Sequence, residues 1–123
     1  MDWKLELIQV PVADIDRAKA FYADKVGFVA EHDARVDENV RFVQLTPPGS
    51  ACSISLTSGV HEMQPGSIEG LQLVVDDADA ARKELLARGV DVGDVHEFPW
   101  GRFVFFSDPD GNAWSVQQLP PRP

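Results

Sequence analysis

Apolar positions along this chain recur with two different periods, and each change of period marks a new element. From Lys4 to Val12, apolar residues mix with Glu6 and Gln9 as in a half-buried strand. Ile15, Ala18, Phe21, Tyr22 and Val26 then follow helical spacing behind Asp14, whose carboxylate is suited to accept an orphan amide at a helix start. Gly27 supplies a left-handed stop, so the helix is predicted to run to about Val26. Strands are predicted near 28–34, 40–45 and 52–57, separated by turns at Asp37-Glu38-Asn39 and Pro47-Pro48-Gly49-Ser50. After a polar, Gly- and Pro-bearing stretch, the order repeats. A strand covers 71–75, and Asp77 caps a helix that Gly89 ends. Strands near 92–97 and 102–106 meet through the tight turn Pro99-Trp100-Gly101, and the last strand covers 113–119.

The repetition extends to residue identity. Gly49, Ala51 and Ser53 are echoed by Gly111, Ala113 and Ser115 at a spacing of 62, and Val12–Ala18 resembles Val75–Ala81 at a spacing of 63. A repeat this long implies two copies of one supersecondary module packed about a pseudo-twofold axis, with a concavity between them. The chain is expected to be one domain over 1–123: module 1 about 4–58, linker 59–67, module 2 about 68–119, and a loose proline-rich tail 120–123.

The βαβββ order, Phe21-Tyr22 ahead of Val26-Gly27-Phe28, and Asp108-Pro109-Asp110-Gly111-Asn112 near the end together resemble the vicinal oxygen chelate superfamily. This is the group of glyoxalase I, bleomycin-resistance proteins and extradiol dioxygenases. The resemblance spans Leu5 to Leu119. It implies an α+β fold in which two βαβββ modules, in pseudo-twofold arrangement, form a partly closed barrel-like cavity. It does not choose an activity, because this fold hosts lyases, dioxygenases, epimerases, transferases and plain binders. Metal-dependent members place one ligand on each of four strands. Those positions fall here at Leu7, at Ser53 or Ser55, at Gly70 (or Gln72 after a two-residue slip) and at Ser115. Leucine and glycine offer no donor, and neutral hydroxyls are poor ligands for divalent ions. No metal and no other cofactor is therefore expected.

Strand alternation sorts the remaining residues onto two faces. Ile8, Val10, Cys52, Ile54, Leu56, Leu71, Leu73, Val75, Trp114 and Val116 form an apolar face that should pack under the helices. Leu7, Gln9, Ser53, Ser55, Gln72, Val74, Ser115 and Gln117 form a face of neutral hydrogen-bonding groups. That face suits a neutral or mildly polar organic ligand, or else it holds serines and glutamines that bond one another and water. Trp100, Phe98 and Phe103 cluster about the last hairpin as an aromatic wall or interface, and Trp3 suits either role.

Composition narrows the field. The formal charge of −9 argues against nucleic acid, which needs a lysine and arginine footprint. No apolar run reaches 18 residues and no basic, apolar leader is visible, so a cytoplasmic protein with no membrane contact is expected. The lone Cys52, in an alternating apolar stretch, reads as a buried inert thiol. His32, His61 and His96 have no ligand spacing; His61 is expected at the surface of the linker. His96, beside Glu97, is a weak general-base candidate, with an exposed strand histidine as the plainer reading.

The expected function is metal-independent binding of a small organic molecule, an aromatic or cationic natural product, by a homodimer. Leu7, Gln9, Ser53, Ser55, Gln72, Trp100, Phe103, Ser115 and Gln117 would touch the ligand. The alternative is an enzyme of the same fold, a lyase, isomerase or dioxygenase-like protein, with an atypical or absent metal site. A third reading is a degenerate domain that serves only as a scaffold.

Overall fold

A computed structural model describes residues 1–58 and 63–121; His61 and the rest of 59–62 lie outside the described residues, as do the last two. Module 1 comprises β1 (Leu7–Gln9), α1 (Ile15–Ala20, continued as a π-helical turn over Phe21–Val26), β2 (Val29–Arg35), β3 (Arg41–Thr46) and β4 (Ser53–Ser58). Module 2 comprises β5 (Leu71–Val75), α2 (Ala78–Ala87), β6 (His96–Phe98), β7 (Gly101–Ser107) and β8 (Ala113–Gln118). The sheets have the same order, β1-β4-β3-β2 and β5-β8-β7-β6. In each, the first strand runs parallel to the last and the other pairs are antiparallel.

The helices start as the sequence predicts. Asp14 accepts the Arg17 amide at 3.1 Å and Asp77 accepts the Ala80 amide at 3.1 Å. They end differently. After the first helix the Phe28 amide returns to the Tyr22 carbonyl at 2.8 Å; after α2 the Val90 amide returns to Leu85 at 2.9 Å. Tyr22 and Leu85 are thus equivalent. The first helix carries one extra residue before its left-handed Gly27, and the wide π turn absorbs it. That turn brings both Phe21 and Tyr22, neighbours in sequence, into the core.

The α+β fold of two βαβββ modules is as expected, with β1 and β5 as edge strands of separate sheets that are not closed into a barrel. Side chains, not a hydrogen-bond ladder, fill the seam between them. Two strand boundaries are corrected. The first strand is shorter than Lys4–Val12, since residues 1–6 stand exposed; beyond Leu7–Gln9 the pairing is extended by the Glu6 carbonyl, to the Ser53 amide, and by the Val10 amide, to the Ser55 carbonyl. The sixth strand begins at His96, not Val92. Residues 92–95 are held instead by α2, whose Arg82 Nε donates to the Gly93 carbonyl at 2.8 Å, while Val90 and Val92 bury their side chains.

One core runs through both modules, from Val10, Val43, Leu45 and Leu56 to Val104, Phe106 and Val116. A buried polar cluster locks the modules together. The Asp108 carboxylate accepts the Tyr22 hydroxyl (2.7 Å), the Asn112 side-chain amide (2.7 Å) and the backbone amides of Asp110, Gly111 and Asn112 (2.9–3.0 Å). Asn112 also donates to the Pro11 carbonyl at 2.8 Å, and Trp114 Nε1 donates to the Tyr22 hydroxyl at 3.0 Å. The Asp-Pro-Asp-Gly-Asn motif is therefore a structural latch. Burial, then the Asp108 carboxylate, holds the Tyr22 phenol well above its usual range, so it stays a neutral donor.

Candidate functional site

Strand register shows which of the proposed site residues meet. Leu7 pairs with Ser53 and Gln9 with Ser55; Gln72 pairs with Ser115 and Val74 with Gln117. Gly70 lies before β5, so Gln72 is the residue equivalent to Leu7. Ser53 and Gln72 line one cavity of about 90 Å³ at the seam, together with Ile8, Leu71, Leu73 and Trp114. The four positions Leu7, Ser53, Gln72 and Ser115 thus gather at the seam. A leucine, two serines and a glutamine give no anionic or imidazole donor, and this set does not fit a divalent ion. Among the described residues no group of three or more His, Cys, Asp or Glu side chains is placed to hold one. Cys52 is half-buried rather than buried. It lines the same seam cavity because its strand ends where the neighbouring module leaves room.

Several polar groups on this face are engaged with one another. Ser115 Oγ donates to Gln72 Oε1 (3.2 Å), Gln72 Nε2 to Gln117 Oε1 (2.6 Å), and Gln117 Nε2 to the Trp100 carbonyl (2.9 Å). This relay ties β5 and β8 to the tip of the β6–β7 hairpin. Gly101 is required there: its φ is 143°, and a Cβ would come within 2.6 Å of the Gln118 carbonyl. In module 1, Gln44 Nε2 donates to Ser53 Oγ (3.1 Å), which shares a 2.6 Å hydrogen bond with Thr46. Ser55 and Thr57 are buried, and their hydroxyls have no partner among the described residues.

The hairpin carries a continuous aromatic array. Trp100 stacks on Phe98 (5.2 Å, 8°), Phe98 meets Phe103 edge-on (5.6 Å, 72°), Phe103 stacks with Phe105 (6.0 Å, 7°), and His96 tilts against Phe105 (5.7 Å, 55°). Trp100, Phe98 and Phe105 are 60%, 41% and 44% exposed, whereas Phe103 is 5% exposed. Phe103 therefore supports the array, and Phe98 and Phe105 present its surface. Phe105 was missed from the sequence, although it alternates with Val104 and Phe106 and so shares the face of Phe103. His96 is exposed and joins the array as a ring; among the described residues no hydrogen bond reaches it, so it has no positioned partner for base catalysis.

Charge is kept off this face. Arg102 bridges Asp79 of α2 (2.7 Å) and Glu97 (3.1 Å), and Arg41 bridges Asp16 of α1 and Asp33, both at 2.8 Å, on the helix side. Hydrogen bonds from Arg41, then Lys19, hold the Asp33 carboxyl below the usual carboxylate range. The face is left uncharged and aromatic in module 2, and uncharged and rich in hydroxyls in module 1. Such a surface suits binding by stacking and neutral hydrogen bonds.

Residues 4–116 match the Glyoxalase/Bleomycin resistance protein/Dioxygenase superfamily, and the chain belongs to it. Among solved structures it is similar to TnmS3, an antibiotic binding protein from Streptomyces sp. CB03234, with 39% identity, a TM-score of 0.88, and coverage of 97% of this chain and 98% of that one. A glyoxalase/bleomycin resistance protein from the same organism is 41% identical, with a TM-score of 0.82 and coverage of 94% and 100%. The uncharacterized protein YetH of Bacillus subtilis (strain 168) is 26% identical over 115 residues, 90% of this chain and 94% of its own. No helix among the described residues is long and apolar enough to cross a membrane.

Proposed function

We propose that this protein is a metal-independent, non-catalytic binding protein that sequesters a planar aromatic natural product, neutral or cationic, in the cytoplasm. The observation that carries this reading is the exposed array Phe98–Trp100–Phe105 on a face without charged side chains. Its tip is held in place by the Gln117–Trp100 hydrogen bond. Preorganised rings give large contact area at low ordering cost. The similarity to an antibiotic binding protein supports the same reading. Gln9, Ser53, Gln72 and Ser115 would line the ligand's polar edge, Leu7 would lie against its apolar surface, and Ser55, Phe103 and Gln117 would support the wall. The acidic chain would not bind nucleic acid.

In a symmetric dimer, the commonest oligomer, the sheets of a second copy would complete the cavity over the array and Val74, with the ligand held between the two copies. A thermal-shift screen of aromatic and cationic compounds, with elemental analysis and light scattering on the same preparation, tests the proposal. Expected are hits among planar aromatics, metal well below one equivalent, and a dimer mass. No hit from a broad aromatic set would remove the binder reading; near-stoichiometric transition metal would restore the enzyme alternative.

A further inference from the structure

A second cavity, of about 300 Å³, lies on the helix side between the end of the first helix, the β3–β4 turn and α2. Its walls include Phe28, Leu73, Val75, Ala81, Leu85 and Phe106. An apolar cavity of about 150 Å³ already stays dry and takes up benzene. Glu84 and Arg88 stand at this cavity but pair with each other at 3.0 Å, and the Arg88 guanidinium rests against Gly27. No unpaired charge there calls for an ion. The cavity shares Pro47 and Leu73 with the seam cavity, whose far wall carries Ser53 and Gln72 of the neutral face.

The internal repeat explains why this space exists. At the sheet of module 2 the core beside the latch is built from Trp114 and Phe106, stacked at 5.9 Å and 3°, with Tyr22 of module 1 against Trp114. Leu85 is equivalent to Tyr22 by its carbonyl partner. Cys52 is equivalent to Trp114 at the repeat spacing of 62. Pro47 stands two residues past Leu45, as Phe106 stands two past Val104, and those two valine and leucine positions face Val116 and Ile54. The three smaller residues line the two cavities, with Phe106 and Trp114 on their walls, and a separate cavity of about 400 Å³ lies beyond those two rings, against Asp91 and Gly93.

We infer that the helix-side cavity is a binding site for a small uncharged hydrocarbon group. The group is either a free molecule of benzene size or the apolar substituent of a larger ligand lying on the neutral face and reaching past Leu73. The site stands whether or not the face binds a ligand. Toluene is the probe for the free molecule, followed by chemical-shift changes of Val75, Ala81 and Leu85. Ala81→Leu fills the cavity from α2 and Val26→Phe fills it from the opposite wall, so one failed fold leaves the other, with circular dichroism checking both. Expected is saturable toluene binding that shifts those residues and weakens about tenfold or more in either variant. No binding to the unmodified protein, binding unchanged in both folded variants, or shifts confined to Phe98 and Trp100 would each overturn the inference. Acridine and 9-butylacridine separate the two sources. If the butyl group strengthens binding and Ala81→Leu abolishes that gain, the site takes a substituent; if the gain is absent or unchanged while toluene binding is lost, it takes a free molecule.

Discussion

The two modules have one strand order and two interiors. Around Trp114 and Phe106 of module 2, with Tyr22 reaching in from module 1, three rings pack and are closed by a buried carboxylate that accepts five hydrogen bonds. At the matching place Cys52 and Pro47 of module 1, with Leu85 of α2, line two cavities. Its β3–β4 connection is also three residues shorter than β7–β8, counted between Leu45–Ile54 and Val104–Val116. The missing residues are those that build the latch, so Ser50 only turns back on the Cys52 backbone (2.8 and 3.1 Å). The opposite faces differ in the same sense: rings in module 2, hydroxyls and amides in module 1. The repeat supplies a common frame, and side-chain volume and loop length make the Trp114 region a latched anchor where the equivalent region around Cys52 has smaller side chains and no latch.

Substitutions that equalise the halves should show this asymmetry. The largest effect is expected for Trp114→Ala, which should destabilise folding by about 3–5 kcal/mol, against about 1 kcal/mol for Cys52→Ala at the equivalent position. Urea unfolding measures both, and similar losses would break the comparison. Asp108→Ala strands several buried donors and should cost about 3 kcal/mol or more, while Ser50→Ala in the exposed counterpart turn should cost about 0.5–1 kcal/mol. On the other face, Trp100→Ala should weaken a confirmed aromatic ligand by about 2 kcal/mol, and Ser53→Ala or Ser115→Ala by about 0.5–1.5 kcal/mol, with folding kept. Calorimetric titration decides; equal and negligible losses would put the ligand elsewhere.

The smallest effect concerns the ion cluster of module 1. The Asp33 carboxyl is held low by Arg41 and Lys19, so its contribution is present above the ordinary carboxylate value near pH ~4 and fades as pH falls through its folded value. Asp33→Asn should remove less than about 1 kcal/mol at neutral pH and flatten the acid limb of stability below pH ~4. An unchanged acid limb would show that the cluster contributes nothing.

Most elements were legible because they rest on local chemistry. Asp14 and Asp77 cap whichever helix follows them, and Gly27 stops one, without reference to the rest of the chain. The assignment of Ser53, Gln72, Ser115 and Gln117 to one face followed from strand alternation, which the backbone pleat enforces by itself. What the sequence left open depends on residues far apart meeting. The choice between Gly70 and Gln72 needed the pairing of Gln72 with Ser115, 43 residues on. The segment 92–95 has no ladder, and its Gly93 carbonyl is met instead by Arg82 of α2. Phe103 is buried and Phe98 exposed although they share a face, because Phe98 and Phe105 pack on either side of Phe103, which alternation alone does not order. The seam cavity and the helix-side cavity bring together Cys52, Pro47 and Leu85 from distant parts of the chain. Periodicity along a chain reports which way a side chain points; only the packed structure decides what it meets there, because volume is filled by neighbours in space rather than in sequence.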